Sequence, residues 1–394
     1  MLMSIALMFL TGMALGGIFK KLRLPPLVGM IITGILLGPS VLNLIDGSVL
    51  GISADLRKIA LIIILTRAGL SLDIDDLKKA GRPALLMCFV PASFEILGAV
   101  ILAPPLLGVS RLEAAVIGAV IGAVSPAVVV PRMIRIMNEG YGTAKRIPQL
   151  ILAGASADDV YVIVLFTSFT ALLAGNSSGI LDYIQIPTSV ILGIIMGAVC
   201  GILLNIFFRR IHMRDSAKAI IILSICFLFT ATETALENSI HVSGLIAVMA
   251  LGMTIYKLYP VLALRLSSKY NKLWVGAELM LFVLVGAAVE PARAADYGIS
   301  AVLLILGALV FRMAGVFTAL LGTNLTMRER LFCMAAYSPK ATVQAAIGAI
   351  PLSMGLPCGE LVLTVSVLSI LITAPLGAAL TDNLYKRLLN KDTN

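Results

Sequence analysis

Two adjacent carboxylates, Asp158 and Asp159, sit in GASADDVYVIVLF, residues 154–166, a stretch otherwise close to pure hydrocarbon. Charged groups held at such depth are costly and mark ion or proton paths. Neighbouring residues on a helix point about 100° apart, so both acids border one cavity without facing the same spot. Desolvation and mutual repulsion favour a proton on at least one of them. Once the proton leaves, the carboxylate is a hard oxygen ligand for a small metal cation. Proton and cation then compete for Asp159 and Asp158, which is the minimal mechanism of exchange if the site opens to one side at a time. The structural alternative is a pair of acids satisfied by Lys340 and nearby hydroxyls.

Other polar groups share these surroundings. Pro126 and Pro131 fall in the middle of one apolar segment and Pro339 in the middle of another. Each proline removes a backbone donor and clashes with the preceding turn, so both helices are expected to break near the bilayer midplane. Unwound backbone at that depth is tolerated only where it is buried in protein or lines a wet cavity, so paired breaks point to a central polar site; two ordinary kinks are the plainer reading. Lys340 follows the second break and is placed to neutralise half-helix ends that terminate on carbonyls. Ser125, Ser156, Ser338 and Thr342 offer further oxygen ligands, each on weaker grounds. Glu95 and Arg312 lie 217 positions apart, carry opposite charges and are expected to form a buried ion pair. That pair is either a fixed brace or a gate that opens during transport. Arg67 with Asp73 reads as a helix-end cluster, and His212 and His241 as ordinary polar residues.

The elements that must position these groups cross a membrane. Of 394 residues, 59% are hydrophobic and only 13% charged, with a mean hydropathy of +1.03. About thirteen apolar segments recur, near 2–19, 26–45, 57–71, 83–107, 112–137, 147–174, 187–208, 217–236, 241–258, 272–289, 298–321, 329–353 and 360–385. The first reads as a retained helix, with Lys20, Lys21 and Arg23 after it and no cleavage motif. The five cysteines show neither metal spacing nor a disulfide pattern. A net charge of +9 raises the question of nucleic acid, but the 30 Lys and Arg concentrate in alternate joints. The other joints hold only Arg57, Lys58, Arg111 and Arg293, while Arg67, Arg312 and Lys340 lie within segments. This alternation places the N-terminus outside and the C-terminus in the cytoplasm.

The two halves also match each other. Gly29 corresponds to Gly244, AGLSLD with Gly69 and Asp73 to VGAAVE with Gly286 and Glu290, and SPAVVV at Ser125 to SPKATV at Ser338, all at an offset of roughly 215 residues. Glu95 and Arg312 share that offset. Partners are seven segments apart, so the copies run through the membrane in opposite senses, as in secondary transporters. The expected fold is therefore an all-α polytopic membrane protein of about thirteen transmembrane helices, with helices 2–6 and 9–13 as an inverted repeat. Gly193, Gly197 and Gly201 in GIIMGAVCG form a small-residue stripe for close helix contact, within the protomer or across a dimer.

In order along the chain, PPLVGMIITGILLGP, RAGLSLD, AVSPAVVVP, SADD and SPKATVQAAIG resemble the monovalent cation/proton antiporter superfamily, specifically its NHA sodium/proton antiporter branch. The resemblance spans essentially the whole of residues 1–394 as a single transmembrane antiporter unit. It implies a homodimer with interleaved scaffold and core subdomains, the core including about 83–174 and 298–385, and a fifth and twelfth helix that unwind and cross. It further implies that Asp159 is the principal ion-binding and proton-carrying group beside Asp158, and that Glu95 and Arg312 match a family ion pair. Asp-Asp members with a partner lysine are often electrogenic; here Arg312 stands at that lysine position and looks engaged by Glu95. The expected partners are Na⁺ or Li⁺ and H⁺ together with membrane lipid, with no resident cofactor and no nucleic acid, in a bacterial-type inner membrane. A potassium/proton antiporter of the same superfamily and a passive cation channel are the rival readings. An intramembrane aspartyl protease is disfavoured, because its acids come from separate helices and one lies in a Gly-x-Gly-Asp motif.

Overall fold

The computed structural model describes residues 1–72, 81–175, 180–236 and 242–391, apart from the side chains at positions 156, 180–187 and 293–295. No β-strand occurs among the described residues, and the chain is a multi-pass all-α membrane protein. The first helices are α1 (Leu2–Lys21), α2 (Pro26–Leu37), α3 (Gly47–Gly51), α4 (Ser53–Gly69), α5 (Gly81–Met87) and α6 (Val90–Leu107). There follow α7 (Arg111–Ile121), α8 (Pro126–Asn138), α9 (Ile147–Ala174), α10 (Ile180–Arg210), α11 (Asp215–Leu236) and α12 (Gly244–Leu258). The last are α13 (Pro260–Ala287), α14 (Pro291–Ala319), α15 (Met327–Ala336), α16 (Thr342–Ile347), α17 (Ile350–Ser353) and α18 (Gly359–Leu388). Among the described residues nine stretches are long and apolar enough to cross a bilayer, α5 with α6 and α7 with α8 each counting as one.

Two compact units are present, one of residues 1–54, 75–162 and 281–394, the other of 55–74 and 163–280. In the second unit the Gly193, Gly197 and Gly201 stripe of α10 lies on α12. A Cβ on Gly193 would stand 2.6 Å from the Ser243 carbonyl oxygen, so the stripe's close contact is made within the chain. Gly69 of α4 meets the backbone of Met249 and Gly252 in the same unit. In the first unit its sequence mate Gly286 meets the backbone of Ile31 and Gly34.

Local sequence explains the ends of the elements that carry the site. Ser110 and Glu113 form a reciprocal capping box at the start of α7, and Thr326 and Glu329 do the same for α15. Gly108 closes α6 in the left-handed region at φ +68, where a Cβ would be strained. After Ile121 the chain leaves the helix, and Ser125 is extended at φ −90, ψ 112 before Pro126 opens α8 at its first position. The second interruption covers residues 337–341, between α15 and α16. Pro131 corrects an expectation. It lies inside α8, which runs on to Asn138, because an internal proline forfeits one hydrogen bond to the preceding turn and the remainder of the helix holds. The interruption belongs to residues 122–125 alone.

Candidate functional site

The two interruptions meet. The Ser125 amide donates to the Pro339 carbonyl at 2.8 Å, joining the unwound stretches through backbone alone. Gly377 of α18 permits this packing, since a Cβ there would lie 2.6 Å from both Pro339 Cγ and Ser338 Oγ. The Lys340 amide donates to Thr373 Oγ1 of α18 at 3.1 Å.

Unwinding frees backbone groups that must find partners away from water, and five of them are met by side chains from elsewhere in the sequence. Lys340 Nζ donates to the Ile121 carbonyl at the end of α7. Arg312 Nη1 donates to the Gly122 carbonyl, and Gln344 Nε2 to the Ala123 carbonyl at 2.8 Å. The Val124 amide donates to Asp158 Oδ2 at 2.7 Å. At the second interruption Arg312 Nε donates to the Tyr337 carbonyl at 2.7 Å. The Tyr337 hydroxyl reaches the Met87 carbonyl at 3.0 Å, and its ring lies 5.1 Å beneath the guanidinium. The polar side chains that hold the crossing are thus largely the same ones that carry its charge.

Five of these charges form one buried cluster on α6, α9, α14 and the second interruption. Glu95, Asp158 and Lys340 have no exposed surface, Arg312 is 1% exposed and Asp159 8%. Arg312 Nη1 meets Glu95 Oε2 at 2.9 Å, and Arg312 Nη2 meets Asp158 Oδ2 at 3.0 Å. Lys340 Nζ meets the other Glu95 oxygen, Oε1, at 2.6 Å. Glu95 therefore bridges both cations, and Arg312 bridges two acids. Close approach of α6 and α14 is eased by Gly98 under the Phe311 ring and Gly315 against Pro91 and Phe94.

The adjacent aspartates differ. Asp158 Oδ2 is held by a guanidinium and a backbone amide. Asp159 Oδ1 is buried without a hydrogen-bond partner among the described residues, as are Asp158 Oδ1, Ser125 Oγ and Gln344 Oε1. Ser338 uses its hydroxyl to donate to the Ala335 carbonyl at 2.7 Å, and Thr342 is buried at the first position of α16. The Ser156 side chain, Asp73 and His241 lie outside the described residues. Sequence reading missed Gln344 and the Arg312 contact with Asp158. The signal for Gln344 was available, as the one amide in the apolar run ATVQAAIGAI.

Comparison with known proteins gives a consistent picture. The family described as sodium/hydrogen exchanger, transmembrane, matches residues 5–382. Human sodium/hydrogen exchanger 9B2 is 32% identical over 95% of this chain and 72% of its own length. Mouse sodium/hydrogen exchanger 9B1 is 30% identical over 93% and 66%. The structure of the sodium proton antiporter MjNhaP1 from Methanocaldococcus jannaschii at pH 8 shares the fold, with a TM-score of 0.84 and 20% identity over 98% of this chain and 97% of that one. The chain belongs to the sodium/hydrogen exchanger family, whose members are secondary transporters and not enzymes.

Proposed function

We propose that this protein exchanges sodium, or lithium, for protons by alternating access, with Asp159 as the group for which proton and cation compete. The observation that carries the reading is the contrast between the tethered Asp158 and the untethered Asp159 inside one buried charge cluster. Glu95 and Asp158 balance Arg312 and Lys340, leaving Asp159 as the single charge to be neutralised. One proton or one monovalent cation does so equally, and a buried net charge is otherwise heavily penalised. Two bound together would leave an excess positive charge, so the cluster favours one-for-one, electroneutral exchange.

The relatives named sodium/hydrogen exchangers support sodium as the cation. Every member of the cluster lies in one compact unit, which would let the site travel as a body during alternating access. The mirrored contacts of Gly69 and Gly286 and the charge pair at the same offset favour an inverted repeat. The segregation of basic joints favours an external N-terminus and a cytoplasmic C-terminus in a cell membrane, and the antiporter resemblance favours a homodimer embedded in lipid, with a core built around 83–174 and 298–385. The test is exchange in proteoliposomes carrying a pH dye, with Na⁺, Li⁺ and K⁺. Asp159→Asn should abolish cation-dependent proton movement while the protein still folds; exchange at the wild-type rate by that variant would sink the assignment, and a response confined to K⁺ would move it to potassium/proton exchange.

A further inference from the structure

Gln344 is the residue of the crossing for which simple exchange at Asp159 provides no part. It is fully buried in the first turn of α16. Its Nε2 donates to the Ala123 carbonyl at 2.8 Å, and its own backbone carbonyl accepts from Ser366 Oγ at 2.6 Å, so it is anchored at two points. A carbonyl can only accept, so the amide must turn its nitrogen to Ala123 and present its oxygen the other way. That oxygen has no hydrogen-bond partner among the described residues. The large majority of buried side-chain polar atoms in folded proteins are satisfied, and an orphan calls for an explanation, a bound ion or water among them.

Three other orphans belong to residues on the same unwound stretch as Ala123, hydrogen-bonded to it, or next in sequence to one so bonded. Ser125 Oγ is two residues along the same unwound stretch from Ala123, Asp158 Oδ1 belongs to the carboxylate that holds Val124, and Asp159 Oδ1 is on the next residue. Two carboxylate oxygens, one hydroxyl and one amide carbonyl form the kind of donor set that hard cations take. We propose that Gln344 supplies a neutral oxygen ligand to the transported monovalent cation, and that its bond to Ala123 sets how far that oxygen reaches and therefore which cation size is preferred. This rests on the exchange reading above. A carboxylate alone attracts any small cation; a tethered neutral oxygen beside it adds a requirement of distance.

The experiment measures Na⁺, Li⁺ and K⁺ exchange in proteoliposomes, together with cation-induced thermal stabilisation in detergent, for the wild type, Asp159→Asn, Gln344→Met and Gln344→Asn. Gln344→Met keeps the volume and removes the oxygen; it should raise the half-saturating Na⁺ concentration about tenfold and shrink the Na⁺-induced stabilisation, as expected for loss of one ligand. Gln344→Asn retains the oxygen one methylene short and should change the order or ratio of Li⁺, Na⁺ and K⁺. A purely structural brace would instead lower the maximal rate and the cation-free melting temperature, leaving half-saturation and selectivity as they were, and that result overturns the proposal. If Gln344→Met fails to fold, unaltered cation ratios in Gln344→Asn overturn it equally. Full exchange by Asp159→Asn would count against the exchange reading itself, whereas loss of exchange there with normal cation affinity in the Gln344 variants counts against Gln344 alone.

Discussion

Neutralising Glu95 by Glu95→Gln tests how the buried charges are held. Its two oxygens meet different cations, Arg312 at 2.9 Å and Lys340 at 2.6 Å, and none of the three is more than 1% exposed. Arg312 would keep Asp158 and the carbonyls of Gly122 and Tyr337. Lys340 would keep the Ile121 carbonyl but, among the described residues, no acid within ion-pair distance. The cost therefore falls mainly on the stranded ammonium, and breaking a buried pair this way costs about 3–5 kcal/mol. Removing both partners is much cheaper, because uncharged groups of similar shape often replace a buried pair at little net cost. Glu95→Gln should thus lower the thermal stability of the detergent-solubilised protein sharply, and Glu95→Gln with Lys340→Met should recover much of the loss. The coupling energy from the double-mutant cycle should reach about 2 kcal/mol, towards the upper part of the range for contacting residues. Unfolding is followed in Na⁺-free buffer so that bound cation adds nothing to the comparison. Additive losses, or a single variant as stable as the wild type, would refute the bridged-cation account.

Further outcomes follow from the same geometry. Asp158→Ala, which strips partners from Arg312 and the Val124 amide, should destabilise the protein by about 3 kcal/mol or more, whereas Asp159→Ala should cost far less; equal melting temperatures would contradict the assigned roles. Pro131→Ala should leave the protein folded and gain up to about 1 kcal/mol, because it restores one helical hydrogen bond inside a continuous α8; a collapse of folding would show that the break extends to Pro131. Gly377→Val should abolish exchange by pushing Pro339 and Ser338 out of register, with a normal rate in vesicles as the opposing result. If proton and cation compete for one group as proposed, the half-saturating Na⁺ concentration should fall as pH rises, by at most about tenfold per pH unit; a pH-independent value would exclude competition. Exchange should run at the same rate with the membrane potential clamped or free, and a potential-dependent rate would refute the one-for-one charge balance.

The charges were legible in the sequence because a charged residue in an apolar segment is conspicuous on cost alone. Glu95 and Arg312 could be paired from their positions in the chain because they fall at the offset that relates the two halves, and they stand 2.9 Å apart. What the sequence hides is the path of an unwound chain. Helical periodicity says which face a residue occupies only while the helix lasts, so nothing in AVSPAVVVP told which carbonyl would meet Lys340, Arg312 or Gln344. Pro131 misled for a related reason. Proline marks the loss of one bond, but whether the helix breaks depends on partners for the freed groups, and those come from α14, α9 and α16, far away in sequence. Gln344 escaped notice because an uncharged amide buried with one good bond raises no alarm by composition.

On the proposed exchange, the adjacency of Asp158 and Asp159 is less a doubling of one function than a division of two. Arginine stays protonated in proteins, so the guanidinium of Arg312 needs a permanent counter-charge. If Asp158 took up a proton it would weaken that pairing and its hold on the Val124 amide together, and the crossing would lose a tether at each turnover. The residue that carries a proton in each cycle must be one whose charge nothing else depends on. Roughly 100° around the helix, Asp159 meets that condition, since no hydrogen bond of the crossing runs through its Oδ1. Placing the two side by side would keep the exchangeable charge of the proposed cycle within the field of the fixed one while leaving the scaffold of the site indifferent to whether a proton or a cation is bound.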